Sequence, residues 1–308
     1  MRILLKILKI LGKPLSNLSY DRVVEEVHLI VGVDVGGSFT KAVALDDGKL
    51  IGLCTVATTE PIAATSGALG KLLSELSLPL KEVEVLAVSG AGSRFLGASI
   101  LDIPVVKVNE IEAIGVGGLT LTGKDKALVV SMGTGTALVA AYKDGVIRHI
   151  GGTGVGGGTI RGLARLIVRR VNFELLEDMA GRGDLRKVDL TVGDIAGGSV
   201  GIIPAEATAS NFGKVDEDAS EEDLAAAIFN MVGEVVGVVV SLAAKAYRLE
   251  EDVVLVGKLA RSKLIVERVR DVCRLFNVKV EVPENCDYCV AIGAARWVQT
   301  HPEQHLKR

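Results

Sequence analysis

Two stretches of this chain, far apart in sequence, are built to one plan. Val33-Asp34-Val35-Gly36-Gly37-Ser38-Phe39-Thr40-Lys41 continues through Ala42 to Leu45 and ends in Asp46-Asp47-Gly48. Val130-Ser131-Met132-Gly133-Thr134-Gly135-Thr136-Ala137-Leu138 continues through Val139 to Tyr142 and ends in Lys143-Asp144-Gly145. Each reads as apolar strand, small-residue turn, apolar strand and Asp-Gly turn, and the interval from Asp34 to Gly48 equals that from Ser131 to Gly145. An Asp-Gly pair between apolar runs is a strong hairpin signal. A chain that carries this unit twice is expected to fold as two similar halves.

The small-residue turns are where chemistry would sit. Glycine lets a backbone approach a phosphate closely, and backbone N–H groups with Ser or Thr hydroxyls donate to phosphate oxygens. Taken singly, Gly36-Gly37-Ser38 and Gly133-Thr134-Gly135-Thr136 would pass for ordinary hairpin turns; as a pair they could hold one polyphosphate from both sides. A third cluster, Gly151-Gly152-Thr153-Gly154-Val155-Gly156-Gly157-Gly158-Thr159, opens into an apolar run from Ile160 to Val168. A glycine loop that opens a helix presents free N–H groups and a favourable dipole to an anion. A flexible linker, the competing reading, rarely lies between a strand and an apolar helix.

Elsewhere strands alternate with helices, which argues for α/β architecture. Val85-Leu86-Ala87-Val88 ends in the turn Ser89-Gly90-Ala91-Gly92, and Asp252 to Gly257 is a continuous apolar strand of the kind buried in parallel sheets. Val278 to Val282 is a shorter strand, and Ala291 to Trp297 is a small-residue helix start. Ser220, followed by Glu221, Glu222 and Asp223, reads as the N-cap of a long buried helix through Leu224 to Leu249.

Over 308 residues, hydrophobic side chains make up 49% and charged ones 24%, a globular profile long enough for substantial cores. A net charge of −3, no basic face and few aromatics argue against a nucleic-acid partner. Met1 to Lys13 is apolar but broken by Lys6 and Lys9, and too short to span a bilayer, which takes about 20 apolar residues. It is expected to form a short helix on the body or on a second subunit. The uncharged stretch Val235 to Ala244 is again too short to span, so no membrane partner and a cytoplasmic location are expected. Cys286 and Cys289 form a lone CxxC with no second pair or nearby His; with Cys54 and Cys273 they read as ordinary reduced thiols.

Together these segments resemble the type II pantothenate kinases, members of the acetate and sugar kinase, heat-shock ATPase and actin superfamily. The likeness rests on Asp34 to Lys41, Ser89 to Gly92, Asn109-Glu110-Ile111-Glu112-Ala113, Met132 to Thr136, Gly151 to Gly158, Ala209-Ser210-Asn211-Phe212-Gly213, Val254 to Gly257 and Ala291 to Ala294, in the family's order. It implies an α/β fold of two actin-like (ribonuclease H-like) halves with a nucleotide cleft between them. Residues 1–28 would be an N-terminal extension, 29–122 the first half with the phosphate-1 loop, and 123–308 the second half with the phosphate-2 loop and the adenosine site. ATP and Mg²⁺ are the implied cofactors, with a small-molecule acceptor and a homodimeric assembly.

By the same resemblance, Asp34 would hold Mg²⁺, directly or through water. Gly36, Gly37, Ser38 and Lys41 would contact the phosphates, Lys41 neutralising the transferring group. Gly133, Thr134, Gly135 and Thr136 would face them from the other half, Gly156, Gly157 and Gly158 would line the cleft, and Gly257 would lie near the adenosine. Glu110 would be the general base that accepts the acceptor hydroxyl's proton, with Glu112 in support.

Thr134, Arg148 and His149 would form the acceptor end. Here the chain departs from the family, which carries Ser at the position of Ala137 and Arg at that of His149. A carboxylate held by a bidentate Arg loses much of that contact with His. The activity expected is phosphorylation of pantothenate to 4'-phosphopantothenate in coenzyme A biosynthesis. The alternatives are a pantetheine or sugar acceptor, or an ATPase that switches a partner enzyme.

Overall fold

A computed structural model describes residues 29–302; the helix expected within Met1 to Lys13 lies outside them. The chain opens with β1 (Leu29–Val35), β2 (Phe39–Asp46) and β3 (Lys49–Ala57), joined as antiparallel hairpins. At the second hairpin Asp47 and Gly48 both take positive φ, 45° and 73°, the mirror-image turn whose twist suits a two-residue connection. Helix α1 (Pro61–Leu76) follows, capped by the Glu60 carboxylate on the N–H groups of Ile62 and Ala63. Then come β4 (Val83–Ser89), β5 (Ser99–Ile100), β6 (Ile103–Lys107) and α2 (Glu110–Thr122). The sheet order is β3-β2-β1-β4-β6-β5, with β4 parallel to β1 and β6 parallel to β4.

The second half starts over with β7 (Lys126–Met132), β8 (Thr136–Tyr142) and β9 (Ile147–Thr153), again antiparallel. After α3 (Gly157–Ile167) and α4 (Phe173–Ala180), β10 (Leu190–Thr191), α5 (Val192–Ala196) and β11 (Thr208–Ser210) form a small excursion. Helix α6 (Glu221–Tyr247), β12 (Val253–Val256), α7 (Lys263–Leu275), β13 (Val280–Glu281) and α8 (Cys289–Thr300) complete the chain. This sheet runs β13-β12-β7-β8-β9. Outward from each central strand the two sheets share two antiparallel partners on one side and two parallel partners on the other, and the first sheet adds the short antiparallel β5 at its edge. The repeat read from the sequence is a repeat of the fold.

The core follows from the strand pattern. Leu29, Val31, Val33 and Val35 on one face of β1 pack with Leu69, Leu72 and Leu73 of α1, while Ile30, with Val43, Leu45, Val85 and Ala87, joins the larger core shared with α8 and the second sheet. Helix α8, from the end of the chain, lies on β1 and β4, and α2, from the first half, lies on β7, β8 and β9. Each sheet is therefore covered by a helix that crosses over from the other half of the chain.

The expected long helix is α6. Ser220 caps it, its hydroxyl accepting from Asp223 N while Asp223 accepts from Ser220 N. Long and apolar enough to cross a membrane, it has 67% of its most apolar stretch buried in the protein, and Gly233 and Gly237 let α7 lie close against it. The Ala209 to Gly213 motif docks on α6: the buried Asp189 accepts from Phe212 N at 2.8 Å and from Asn230 Nδ2 at 2.7 Å, and Asn211 Nδ2 donates to Glu234.

The two crossover helices meet at their glycines. A Cβ on Gly293 of α8 would stand 1.8 Å from the Ala113 carbonyl oxygen of α2, and one on Gly117 of α2 would stand 2.1 Å from that of Cys289. Backbone sits on backbone here, so even a methyl must push the helices apart. Gly293→Ala is expected to lower stability by about 1–3 kcal/mol in urea unfolding, the range for overpacking. Gly162→Ala, in α3 with open space around the added methyl, should instead be neutral or raise stability by up to about 1 kcal/mol.

Candidate active site

The two small-residue turns face each other across a cavity of about 750 Å³. On one wall, Gly36, Gly37 and Ser38 close the turn between β1 and β2, with Gly36 N donating to Phe39 O at 3.2 Å. On the other, Gly133, Thr134 and Gly135 close the turn between β7 and β8, with Gly133 N donating to Gly135 O at 2.8 Å. Glu110, the first residue of α2, and Cys289, the first of α8, both border the space between. The helix crossing thus delivers two helix N-termini to the floor of the cleft.

Asp34 sits at that floor, paired across the hairpin with Lys41 and beside Ser89 of β4. Enclosure pushes its carboxyl up to about 6; the Lys41 ammonium pulls it down and the Glu110 carboxylate adds to the rise. Among the described residues no donor hydrogen-bonds the Asp34 carboxylate, and Ser89 Oγ next to it is buried without a partner. Gly90, at φ 83°, leaves room for the carboxylate, since a Cβ there would lie 2.5 Å from Asp34 Oδ1. An enclosed carboxylate with no donor, bordering a cavity and flanked by an unpartnered hydroxyl, has the chemistry of a hard-cation site. Lys41 is buried, and its ammonium donates to the Asp287 carbonyl at 2.7 Å, tying the two halves together beneath the cleft.

Of the residues singled out from the sequence, the structure brings Asp34, Gly36, Gly37, Ser38, Lys41, Glu110, Gly133, Thr134, Gly135, Thr136, Gly157, Gly158 and Gly257 to this one cavity. Gly156 lies just behind it, and a Cβ there would meet Thr134 O at 2.7 Å. The third glycine cluster does not offer its N–H groups freely: Gly157 N donates to Gly133 O at 2.9 Å and Gly158 N to Thr134 O at 2.8 Å. Those glycines clamp the start of α3 onto the second turn instead. Ala137 borders the cavity, whereas Arg148 and His149 lie exposed on the edge strand β9, outside its lining.

The cavity is also lined by Arg161, Asn172, Phe173 and Glu174, and by Lys258, next to Gly257, none of which the sequence motifs single out. One signal was available. Asn172 is the N-cap of α4, its side chain accepting from Leu175 N at 2.8 Å, and an Asn before an amphipathic run marks a helix start. Nothing local in the sequence says that this helix start turns toward the glycine turns.

Two solved structures with this architecture carry a bound ATP analogue. The activator of the 2-hydroxyisocaproyl-CoA dehydratase from Clostridium difficile, with bound ADPNP, superposes with a TM-score of 0.64 at 19% identity, covering 91% of this chain and 97% of that one. A ROK family glucokinase from Streptomyces griseus, in complex with glucose and AMPPNP, does so with a TM-score of 0.58 at 15% identity, covering 88% and 99%. The fold is that of the actin-like ATPase and sugar-kinase class.

In sequence, the family described as Fumble matches residues 125–277. The type II pantothenate kinase of Staphylococcus aureus (strain USA300) is 32% identical over 276 residues, which are 86% of this chain and 97% of that protein. That of Bacillus anthracis is 33% identical over 214 residues, 67% of this chain and 74% of that protein. The chain belongs to the type II pantothenate kinase family.

The raised Asp34 carboxyl has a consequence for stability. Its folded value of about 6 lies above the ordinary 3.8, so the folded chain holds this proton more tightly than the unfolded one. The group therefore destabilises the metal-free fold progressively as pH rises from about 4 to about 6, and by a constant amount above that. Asp34→Asn should stabilise the metal-free protein at pH 7.5, on the order of 3 kcal/mol for a rise from 3.8 to about 6 at about 1.4 kcal/mol per pKa unit. The gain should vanish near pH 4. Thermal unfolding at the two pH values, with a chelator present, checks both the size and the sign.

Proposed function

We propose that this chain transfers the terminal phosphoryl group of ATP to the primary hydroxyl of pantothenate, as the names of its relatives indicate for those proteins. The observation that carries this reading is that Glu110 borders the same cavity as both glycine turns and Asp34. Phosphoryl transfer asks a protein mainly to position groups and stabilise charge, and the cleft holds the parts for that. The open backbone of Gly37, Ser38, Thr134 and Gly135 would cradle the phosphates from the two halves, residues 29–122 and 123–308. Ser38 and Thr136 add hydroxyls, although Thr136 Oγ1 already donates to Val155 O at 2.9 Å.

Asp34 is the residue that would hold Mg²⁺, which when bound would offset phosphate charge. Lys41, anchored on the Asp287 carbonyl, keeps donors for the transferring group. Phe173, which lines the same cavity, would offer an aromatic face for the base. Glu110, on the first turn of α2, would take the hydroxyl proton as the acceptor attacks.

At the acceptor end Thr134 faces the cavity and Ala137 offers only a methyl. Arg148 and His149, further along β9 from the cavity-lining Thr153, would be met by an acceptor whose acidic end extends over that strand. The same geometry suits pantetheine, which carries no carboxylate to satisfy. Offering each acceptor separately with Mg²⁺ and ATP, and weighing the product, tests the assignment: phosphopantothenate is expected. Glu110→Gln should lower kcat by about 10²- to 10⁴-fold, the usual contribution of a positioned base, with little change in nucleotide affinity. Full turnover in that variant would remove Glu110 from the mechanism.

A soluble cytoplasmic homodimer is part of the same reading, supported by family membership and by Val238 and Leu242, exposed one turn apart on α6. Sedimentation should return about twice the chain mass of 32.3 kDa, and Leu242→Glu should shift it toward the monomer.

A further inference from the structure

Across the mouth of the cleft, the Lys258 ammonium lies 3.8 Å from the centroid of the Phe39 ring. The two residues come from different halves. Phe39 directly follows the Gly36-Gly37-Ser38 turn, and its carbonyl closes that turn by accepting from Gly36 N. Lys258 directly follows Gly257, whose backbone is pinned against the end of β7: a Cβ there would lie 2.6 Å from Met132 O, and Gly257 N donates to Cys286 O at 2.9 Å. Both side chains border the cavity.

We infer that Lys258 is a phosphate-binding residue of the nucleotide site, and that the Phe39 ring is the platform that holds its ammonium in front of the first glycine turn. The inference rests on the nucleotide site proposed above. An exposed cation on an aromatic face contributes little to stability, so stability alone is a weak reason for this placement. Charge supplies a better one. Lys41 is buried and engaged by the Asp287 carbonyl, and Arg161 stands on α3, the helix clamped to the second glycine turn. Lys258 is exposed, and its contact with Phe39 sets it beside the first phosphate turn. Its long flexible stem allows the ammonium to move from ring face to phosphate oxygen while the backbone stays fixed at Gly257. A polyphosphate held between the two turns would draw it inward and engage both halves at once.

The test is equilibrium titration of the full-length protein with ATP, ADP and adenosine in Mg²⁺ buffer, for wild type, K258M, K258R and F39L. Losing one charge-assisted contact should weaken ATP binding by about 10- to 100-fold in K258M. ADP should be weakened less, adenosine left unchanged, and K258R should restore most of the loss. F39L, which keeps an apolar side chain but removes the aromatic face, should weaken ATP in the same direction by a smaller factor. K258M that binds ATP as wild type does, or that weakens ATP and adenosine equally, overturns the inference while leaving the nucleotide site intact. Wild type that binds none of the three overturns both.

Discussion

The contact on which the cleft depends is the crossing of α2 and α8. These helices start at the cavity floor, diverge onto opposite sheets and touch through Gly117 and Gly293, each set against a carbonyl of the other helix. Because the contact is backbone on backbone, the distance between the two sheets is fixed by main-chain geometry and leaves no side chain to adjust. That distance sets the gap between the two glycine turns. It also places Glu110 between them, since Glu110 is the first residue of a helix whose position is settled at the crossing. A fold that carries one hairpin unit twice needs a rule for how far apart the copies stand, and the crossing provides it.

Electrostatics follow from that spacing. Two halves closing on a small volume enclose Asp34, and the cost of desolvating its carboxylate is visible as a raised proton affinity that Lys41 only partly offsets. Lys41 bonds across to Asp287, and Phe39 meets Lys258, so the first half reaches the second at two points on the cavity lining. An enclosed, under-compensated carboxylate is a liability for folding and an asset for binding a cation; such sites exchange stability for function.

Much of this was legible in the sequence because it is written locally. The hairpins announce themselves by Asp-Gly turns between apolar runs, and Asp47-Gly48 adopts the backbone that this pair favours. The long helix is marked by Ser220 and its acidic first turn, and the capping pair forms as the residue types require. Other features depend on residues that no local pattern connects. The stacking of Ala113 on Gly293 joins distant parts of the chain, and so does the pairing of Phe39 with Lys258. The Gly156 to Gly158 run shows the limit well: glycines that favour an anion cradle serve equally as a close backbone clamp, and here the N–H groups of Gly157 and Gly158 bond to Gly133 and Thr134. Arg148 and His149 adjoin the site in sequence, yet strand pairing leaves them exposed along β9.

The central claim is that the two matched turns, one from each half, grip one polyphosphate together. Amide hydrogen exchange with and without a non-hydrolysable ATP analogue and Mg²⁺ tests it most directly. In both turns amides stand open beside one engaged within the turn, at Gly37 and Ser38 next to Gly36, and at Thr134 and Gly135 next to Gly133. Nucleotide should slow exchange in peptides spanning residues 36–38 and 133–136 with the same concentration dependence. Protection of one turn alone, or of the two at different nucleotide concentrations, would contradict the account.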